Sequence, residues 1–241
     1  MALSLLHLSP DPVALTHWAT RRHWLSPDGD FGYALHALLA DAFHGQPPAP
    51  FRYMEEQGLL AYSSESEAAL RDRITAASPE ARQVLRLDRL RLRPFPEAWP
   101  TGKRLAFEVR VRPVIRTTSG KERDLYQYRM EQRPADSRDP PPSREEIYLQ
   151  WLEQRLSSDQ AARLIGASLH GFALRRVLRR GEEGGESGPR KATGVNGPDA
   201  LFRGELEVGD RQAFARLLAR GVGRHCAFGY GMLLLRPASG G

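Results

Sequence analysis

Hydrophobic and polar positions along this chain switch between a strand-like and a helix-like period, and the order of the switches occurs twice. Ala2 to Leu8 is a short leucine-rich run closed by Ser9-Pro10-Asp11-Pro12, which predicts a strand ended by a turn. Asp11 can cap a helix that Pro12 opens, and Val13 to Arg22 has helical spacing. Asp28-Gly29-Asp30 breaks the chain before a second helical run, Tyr33 to Phe43, with Leu35, Leu38, Leu39 and Ala42 on one face. Phe51 to Glu56 and Leu59 to Ser63 read as strands joined around Gly58. Glu65 to Ala77 reads as a polar helix, and Val84 to Arg93 alternates V-L-R-L-D-R-L-R-L-R as a strand does. The order is β-α-β-β-α-β, the split βαβ or ferredoxin-like motif.

Pro94 to Gly102 carries three prolines and a glycine and reads as a hinge, after which the order recurs. Leu105 to Ile115 alternates as a strand, and Ser143 with Glu146 three residues on forms a capping pair for a helix carrying Ile147, Trp151, Leu152 and Leu156. Leu169 to Leu178 and Ala200 to Val208 predict two more strands, Asp210 to Arg220 an amphipathic helix, and Met232 to Leu235 a closing strand. The expectation is an α+β chain of two tandem ferredoxin-like (RRM-like, βαββαβ) domains, residues 1–93 and 103–241, joined by the linker 94–102. Arg133 to Pro142, rich in Pro, Asp and Ser, is expected to be a mobile excursion, and Gly181 to Pro198 a long glycine-rich loop between two strands.

Composition narrows the function classes. With 41% hydrophobic and 27% charged residues in 241, the chain falls among soluble globular proteins. It has no apolar run long enough for a bilayer, and Met1 to Leu8 has neither a basic leader nor a cleavage site, so a cytoplasmic protein without a membrane partner is expected. The single Cys226 excludes an internal disulfide and a cysteine-based zinc cage. A net charge of +6 favours an anionic partner, although only Lys103, Lys121 and Lys191 of the 35 basic residues are lysines, a bias that a GC-rich genome also produces. Distribution adds more: basic residues dominate Arg82 to Arg116 and again Arg175 to Lys191. Either stretch could follow a phosphate backbone or form a solvated strand face. Arg175, Arg176, Arg179 and Arg180 on one arm, with Arg190 and Lys191 in the loop, would suit a hairpin entering a nucleic-acid groove.

Two further features bear on chemistry. Gly221, Gly223, Gly229 and Gly231 lie in G-V-G-R-H-C-A-F-G-Y-G, just ahead of an apolar run. They either serve a tight packed turn or open the main chain, with Arg224 and His225, to an anion such as a phosphate. Tyr33 and His36 stand three apart on a helical run and share a face. An imidazole and a phenol there suit acid–base work on a phosphodiester, or simply pack. His7, His17, His23, His44, His170 and His225 show no metal-binding spacing, and a Walker loop, a dinucleotide fingerprint and a serine elbow are absent, so neither metal nor cofactor is expected.

Taken together, the opening strand A-L-S-L-L-H-L, the Tyr33/His36 pair, Arg110-Val111-Arg112-Pro113-Val114, the helix Y-L-Q-W-L-E-Q-R-L, the basic hairpin, L-F-R-G-E-L-E-V-G-D and the glycine run resemble the CRISPR-associated RNA-processing endoribonucleases of the CasE (Cse3) branch, part of the RAMP superfamily. The resemblance spans nearly the whole chain. It implies metal-independent cleavage of CRISPR repeat RNA on the 3′ side of a hairpin stem, leaving a 2′,3′-cyclic phosphate and a 5′-hydroxyl, by a protein that stays with its product and joins other Cascade subunits. It further implies His36 as general acid or base, Tyr33 as its partner, and RNA contacts from Arg110, Arg112, the basic hairpin and the glycine run. Relatives of that kind often carry a basic residue where Cys226 stands, so Arg224 and His225 become the candidates for its charge. The alternatives are a non-catalytic RNA-binding subunit on the same folds and a DNA-binding regulator, the latter without any helix-turn-helix signal behind it.

Overall fold

The computed structural model describes residues 3–96, 99–134, 136–180 and 192–238, with the side chains of 179–180 and 192–195 left aside. The first half runs β1 (Leu3–Leu8), α1 (Pro12–Arg21), α2 (Gly32–Ala42), β2 (Phe51–Met54), β3 (Gly58–Ser63), α3 (Glu67–Ile74), α4 (Pro79–Leu85) and β4 (Arg91–Phe95). Its four strands form an antiparallel sheet in the order β2-β3-β1-β4. The second half runs β5 (Arg104–Val111), β6 (Val114–Arg116), β7 (Glu122–Asp124), α5 (Leu125–Glu131), α6 (Arg144–Leu156), β8 (Ala162–Arg180), β9 (Ala192–Val208), α7 (Arg211–Arg220) and β10 (Leu234–Pro237). Its main sheet has the order β10-β5-β9-β8. Counted within each half, both orders are 4-1-3-2, the ferredoxin-like arrangement.

Local chemistry accounts for most element starts. The Asp11 carboxylate accepts from the Val13 and Ala14 amides, and Pro12 opens α1. Ser143 and Glu146 form a reciprocal capping box on α6, and Asp210 caps α7. The expected strand from Val84 is corrected: Val84 and Leu85 close α4, which Ser78 caps and Pro79 opens, and pairing with β1 begins only at Arg91. The strand expected from Leu105 to Ile115 breaks at Arg112-Pro113 into β5 and β6, and β7 and α5, which begins after Asp124, follow where no element was expected. The β8–β9 pairing also runs further than expected, from Ala162 opposite Val208 to Arg180 opposite Ala192. Residues 192–198 of the anticipated loop are therefore strand, and 181–191 lie outside the described residues.

Strand alternation divides each sheet between two tasks. Leu6, Leu8, Leu59 and Ala61 turn toward α1, α2 and α4 and form one core with Leu15, Leu35, Leu38 and Leu39. Leu3 and Tyr62 face the other way and join the second core, which is built on Phe107, Val109, Phe202, Phe214 and Trp151. The Tyr62 hydroxyl donates to the Leu233 carbonyl at 2.8 Å across this junction.

A buried ion network fixes the halves at a second point. The Arg110 guanidinium on β5 donates to Asp199 of β9 at 2.6 Å and to Asp30, just ahead of α2, at 2.9 Å, and lies 4.4 Å from the Tyr230 ring centre. Burial alone would lower its pKa, but the hydrogen-bonded Asp199, with Tyr230 and Asp30, holds it above the ordinary arginine value. Removing one partner of such a network leaves an uncompensated buried charge. Arg110→Ala is expected to lower stability by about 3–5 kcal/mol, measured as a lower urea midpoint; an unchanged midpoint would show that the network contributes nothing net.

Candidate active site

The catalytic candidates sit on α2, and the start of that helix is tied to the C-terminal half in two ways. Asp30 accepts from the Gly32 amide at 2.9 Å with one carboxylate oxygen while the other holds Arg110. Gly32 itself lies against the Phe228 main chain, so closely that an added Cβ would collide with the Phe228 carbonyl. Phe228 belongs to a short 3₁₀ turn, Cys226–Phe228, inside the glycine run. Its ring stacks on Tyr33 with centres 6.3 Å apart and planes 7° from parallel, and stands 4.9 Å from the His36 ring. Trp24 meets Tyr33 edge-on at 5.6 Å and completes the wall.

Across this wall opens a cavity of about 620 Å³, lined by Trp24, Tyr33 and His36 from one half and by Arg224, His225 and Phe228 from the other. The sequence-predicted pair and two residues of the glycine run therefore converge on one space. Glu122 of β7 orients both of the latter, accepting from Arg224 Nε at 2.6 Å and contacting His225 Nε2 at 2.8 Å. Arg224 remains exposed at the rim, whereas His225 is buried. His36 is half-buried with its Nδ1 enclosed and without a hydrogen-bond partner. Burial lowers its pKa below the ordinary histidine value of 6.5, opposed in part by the Ala227 carbonyl. At neutral pH this imidazole is thus uncharged and able to take a proton, while Arg224 opposite supplies a fixed positive charge.

The glycine run owes its composition to the protein's own packing. Gly221, Gly223, Gly229 and Gly231 all adopt left-handed φ between 78° and 87°. A Cβ on Gly231 would lie 2.6 Å from both Cys226 Sγ and the Val222 carbonyl, and one on Gly223 would lie 2.8 Å from the Trp151 ring. Only Gly223 of the four is exposed, so the run folds as a packed turn that presents Arg224 and His225 to the cavity. Cys226 plugs the middle of that turn, and burial pushes its thiol up to about 11. It is a neutral filler, with no charge to offer a phosphate.

A family model described as "CRISPR associated protein" matches residues 3–237. The chain belongs to this CRISPR-associated protein family. Its fold matches solved structures of the same description. CRISPR endoribonuclease Cse3 bound to a 19-nucleotide RNA aligns with a TM-score of 0.60 and 22% identity over 98% of each chain. Thermus thermophilus Cse3 bound to an RNA representing a pre-cleavage complex aligns at 0.57 and 20%, over 98% of this chain and 100% of that one. Cas6e from Escherichia coli K-12 aligns at 0.53 and 18%, over 99% and 100%. No match was found among the curated proteins.

Other anticipated contacts of this CRISPR-associated protein fall in different places. Arg110 is held inside the ion network, and Arg112 is buried at 1% exposure with its guanidinium 5.6 Å from the Tyr230 ring centre and pressed against Gly197. Arg110 reaches from the polar face of β5 to Asp30 of the other half, whereas Arg112, just past the end of β5, packs among Arg175, Gly197 and Tyr230 of its own half. Arg175 is partly exposed and ion-paired to Asp199 at 3.0 Å, and exposed Arg176 holds Asn196. The loop before α2 clasps this arm: Asp28 accepts from the Arg176 amide at 2.6 Å, and Ser26 donates to the Arg176 carbonyl at 2.6 Å. Arg179 and Arg180 continue β8, with side chains outside the described set, and Arg190 and Lys191 lie outside the described residues.

Sequence reasoning missed Phe228, Gly32, Asp30, Glu122 and Arg52. Arg52 on β2 lines a second cavity of about 500 Å³ beside Arg110 and Arg175, with its Nε buried and unpartnered. Asp30-Phe31-Gly32 did carry a signal, an Asx residue two before a helical glycine. The other three, Phe228, Glu122 and Arg52, have no local mark. Gly231→Ala is expected to cost about 1–3 kcal/mol and to displace Phe228, whereas Gly45→Ala, left-handed but with nothing within 4 Å of its Cβ, carries only the backbone cost of about 1 kcal/mol. Thermal unfolding of the two variants checks the difference; equal losses would remove the packing explanation.

Proposed function

We propose that this chain is a site-specific, metal-independent endoribonuclease of the CasE/Cse3 type. Its substrate is CRISPR repeat RNA, cut at the 3′ base of a hairpin, and it stays with the matured guide RNA in a Cascade-like complex. The observation that carries the reading is the meeting of His36 and Tyr33 with Arg224 and His225 around one cavity, in a fold shared with Cse3 and Cas6e.

The chemistry follows from those groups. Neutral His36 takes the proton of a ribose 2′-hydroxyl, whose oxygen attacks the adjacent phosphorus in line. The new bond from the 2′-oxygen to phosphorus closes the cyclic phosphate as the bond to the 5′-oxygen breaks, and the leaving oxygen takes a proton from solvent water to become the 5′-hydroxyl, while His36 later returns its proton to solvent. Tyr33, stacked on Phe228, sets the approach of the ribose, and Arg224 carries the charge that builds on the phosphate. His225, held by Glu122, fixes the far wall. Arg175, Arg176, Arg179, Arg180, Arg190 and Lys191 would meet the stem, where a deep, narrow A-form major groove makes binding depend on shape and phosphates more than on base edges.

His36→Ala is expected to slow single-turnover cleavage of labelled repeat RNA about 10²–10⁴-fold while hairpin binding changes little. Wild-type cleavage by that variant would remove the assignment, and wild-type protein that binds the hairpin in EDTA without cutting it would leave an RNA-binding subunit. Because the imidazole acts unprotonated and its pKa lies below 6.5, the rate should be level near pH 7 and fall as the pH drops through that lowered value. A rate that instead rises toward pH 5 would make His36 the acid.

A further inference from the structure

Beyond the His36 cavity the surface continues into a second groove of about 510 Å³, on the face made by β6, α5, α6 and the end of α7. Arg116, Arg129, Arg155, Arg220 and Arg224 line it, all exposed, and none of its lining residues is acidic. Glu122 lies behind Arg224 and is already engaged by Arg224 and His225. The other four guanidiniums make only weak local contacts: Arg116 with the Gly120 carbonyl at 3.3 Å, Arg220 with Ser158 at 3.4 Å, and Arg155 over the Trp151 ring at 5.6 Å. Arg129 has no partner among the described residues. Like charges gathered in this way raise the energy of the free surface unless an anion enters.

A second observation is independent of charge. Trp151 lines the same groove at 5% exposure, and its indole Nε1 is buried without a hydrogen-bond partner, a donor with nothing to satisfy it. Gly223 lines the groove beside this indole, and a Cβ there would strike the ring. Gln150 and Gln154, one turn apart on α6, add amides able to reach base edges.

The order of features sets the occupant. The base of the β8–β9 hairpin and Phe228 line the 500 Å³ cavity, Phe228 and Arg224 line the His36 cavity, and Arg224 lines the arginine groove. The three spaces therefore follow one another, with the hairpin at one end and the arginine groove at the other. An RNA whose stem is held by the hairpin and whose scissile phosphate sits at His36 must leave along this groove. We propose that the groove binds the single-stranded RNA on the 3′ side of the cut, through its phosphates and one or two bases, before cleavage. This rests on the endoribonuclease reading and adds a product-side subsite to it. Such a subsite would hold the strand in line for attack and then release the short product, which keeps fewer contacts than the stem.

The test compares two RNAs on the intact protein, the repeat hairpin ending at the cut and the same hairpin with a single-stranded 3′ extension, the latter carrying a 2′-deoxy nucleotide at the cut. Wild type is expected to bind the extended RNA more tightly. Arg129→Ala/Arg155→Ala should remove that advantage, about tenfold at 0.1 M salt, and lower the salt slope for the extended RNA by about 1.4, two single-strand contacts at about 0.7 each. Binding of the hairpin alone should not change, and Arg129→Lys/Arg155→Lys should restore most of the difference. Equal binding of both RNAs by wild type, or an equal loss for both in the double variant, overturns the groove and leaves the nuclease reading intact. Failure of wild type to bind either RNA, or to cut the extended RNA once its 2′-hydroxyl is restored, overturns both.

Discussion

The constraint on which the site depends is the buried charge triangle of Arg110, Asp30 and Asp199. Two sheets of the same topology could dock in many orientations, since their facing surfaces offer mainly leucines and a few aromatic rings. A guanidinium that must satisfy one carboxylate on β9 and another at the entry to α2 permits very few. Asp30 is the hinge of the argument, because its second oxygen caps the first turn of α2 through Gly32. The register of Tyr33 and His36 against Phe228 is thereby set by an ion pair at Asp30, three residues before Tyr33 and six before His36.

The same strap explains how the candidate cavity is assembled from both halves. One side brings the His36 ring, and the other brings a turn, left-handed at five places, that carries Arg224, His225 and Phe228. Glu122 orients the two basic residues from a short ladder, β6–β7, that has no counterpart in the first half. Loop 26–30 serves twice, capping α2 and gripping the main chain of β8 at Arg176. One loop thus anchors both an arm of the basic hairpin and the helix that holds His36.

Much of this was legible in the residues, and the parts that were not share a cause. Strand and helix periods and the Asp11, Ser143 and Asp210 caps are local, so the doubled β-α-β-β-α-β order emerged from the chain alone. The segment from Val84 failed because its alternation also fits the end of a short helix, and the Ser78-Pro79 start was the stronger signal. Tyr33 and His36 could be paired by spacing, but Arg110 and Arg112 looked like the outer face of a strand. A strand's alternation says which residues share a side, and only the partner sheet decides whether that side is wet. The glycines were visible as a conformational demand, and their reason lay in Cys226, Trp151 and Val222, contacts that no spacing rule supplies.

The account stands or falls on where the scissile phosphate rests. A crystal structure of the protein with a repeat hairpin carrying a 2′-fluoro nucleotide at the cut measures this directly. The prediction is a His36 ring nitrogen within about 2.6–3.2 Å of the 2′-substituent, with Arg224 on the phosphate and the stem along the β8–β9 hairpin. A phosphate seated elsewhere, for example against Arg52 on the far side of Phe228, would contradict it.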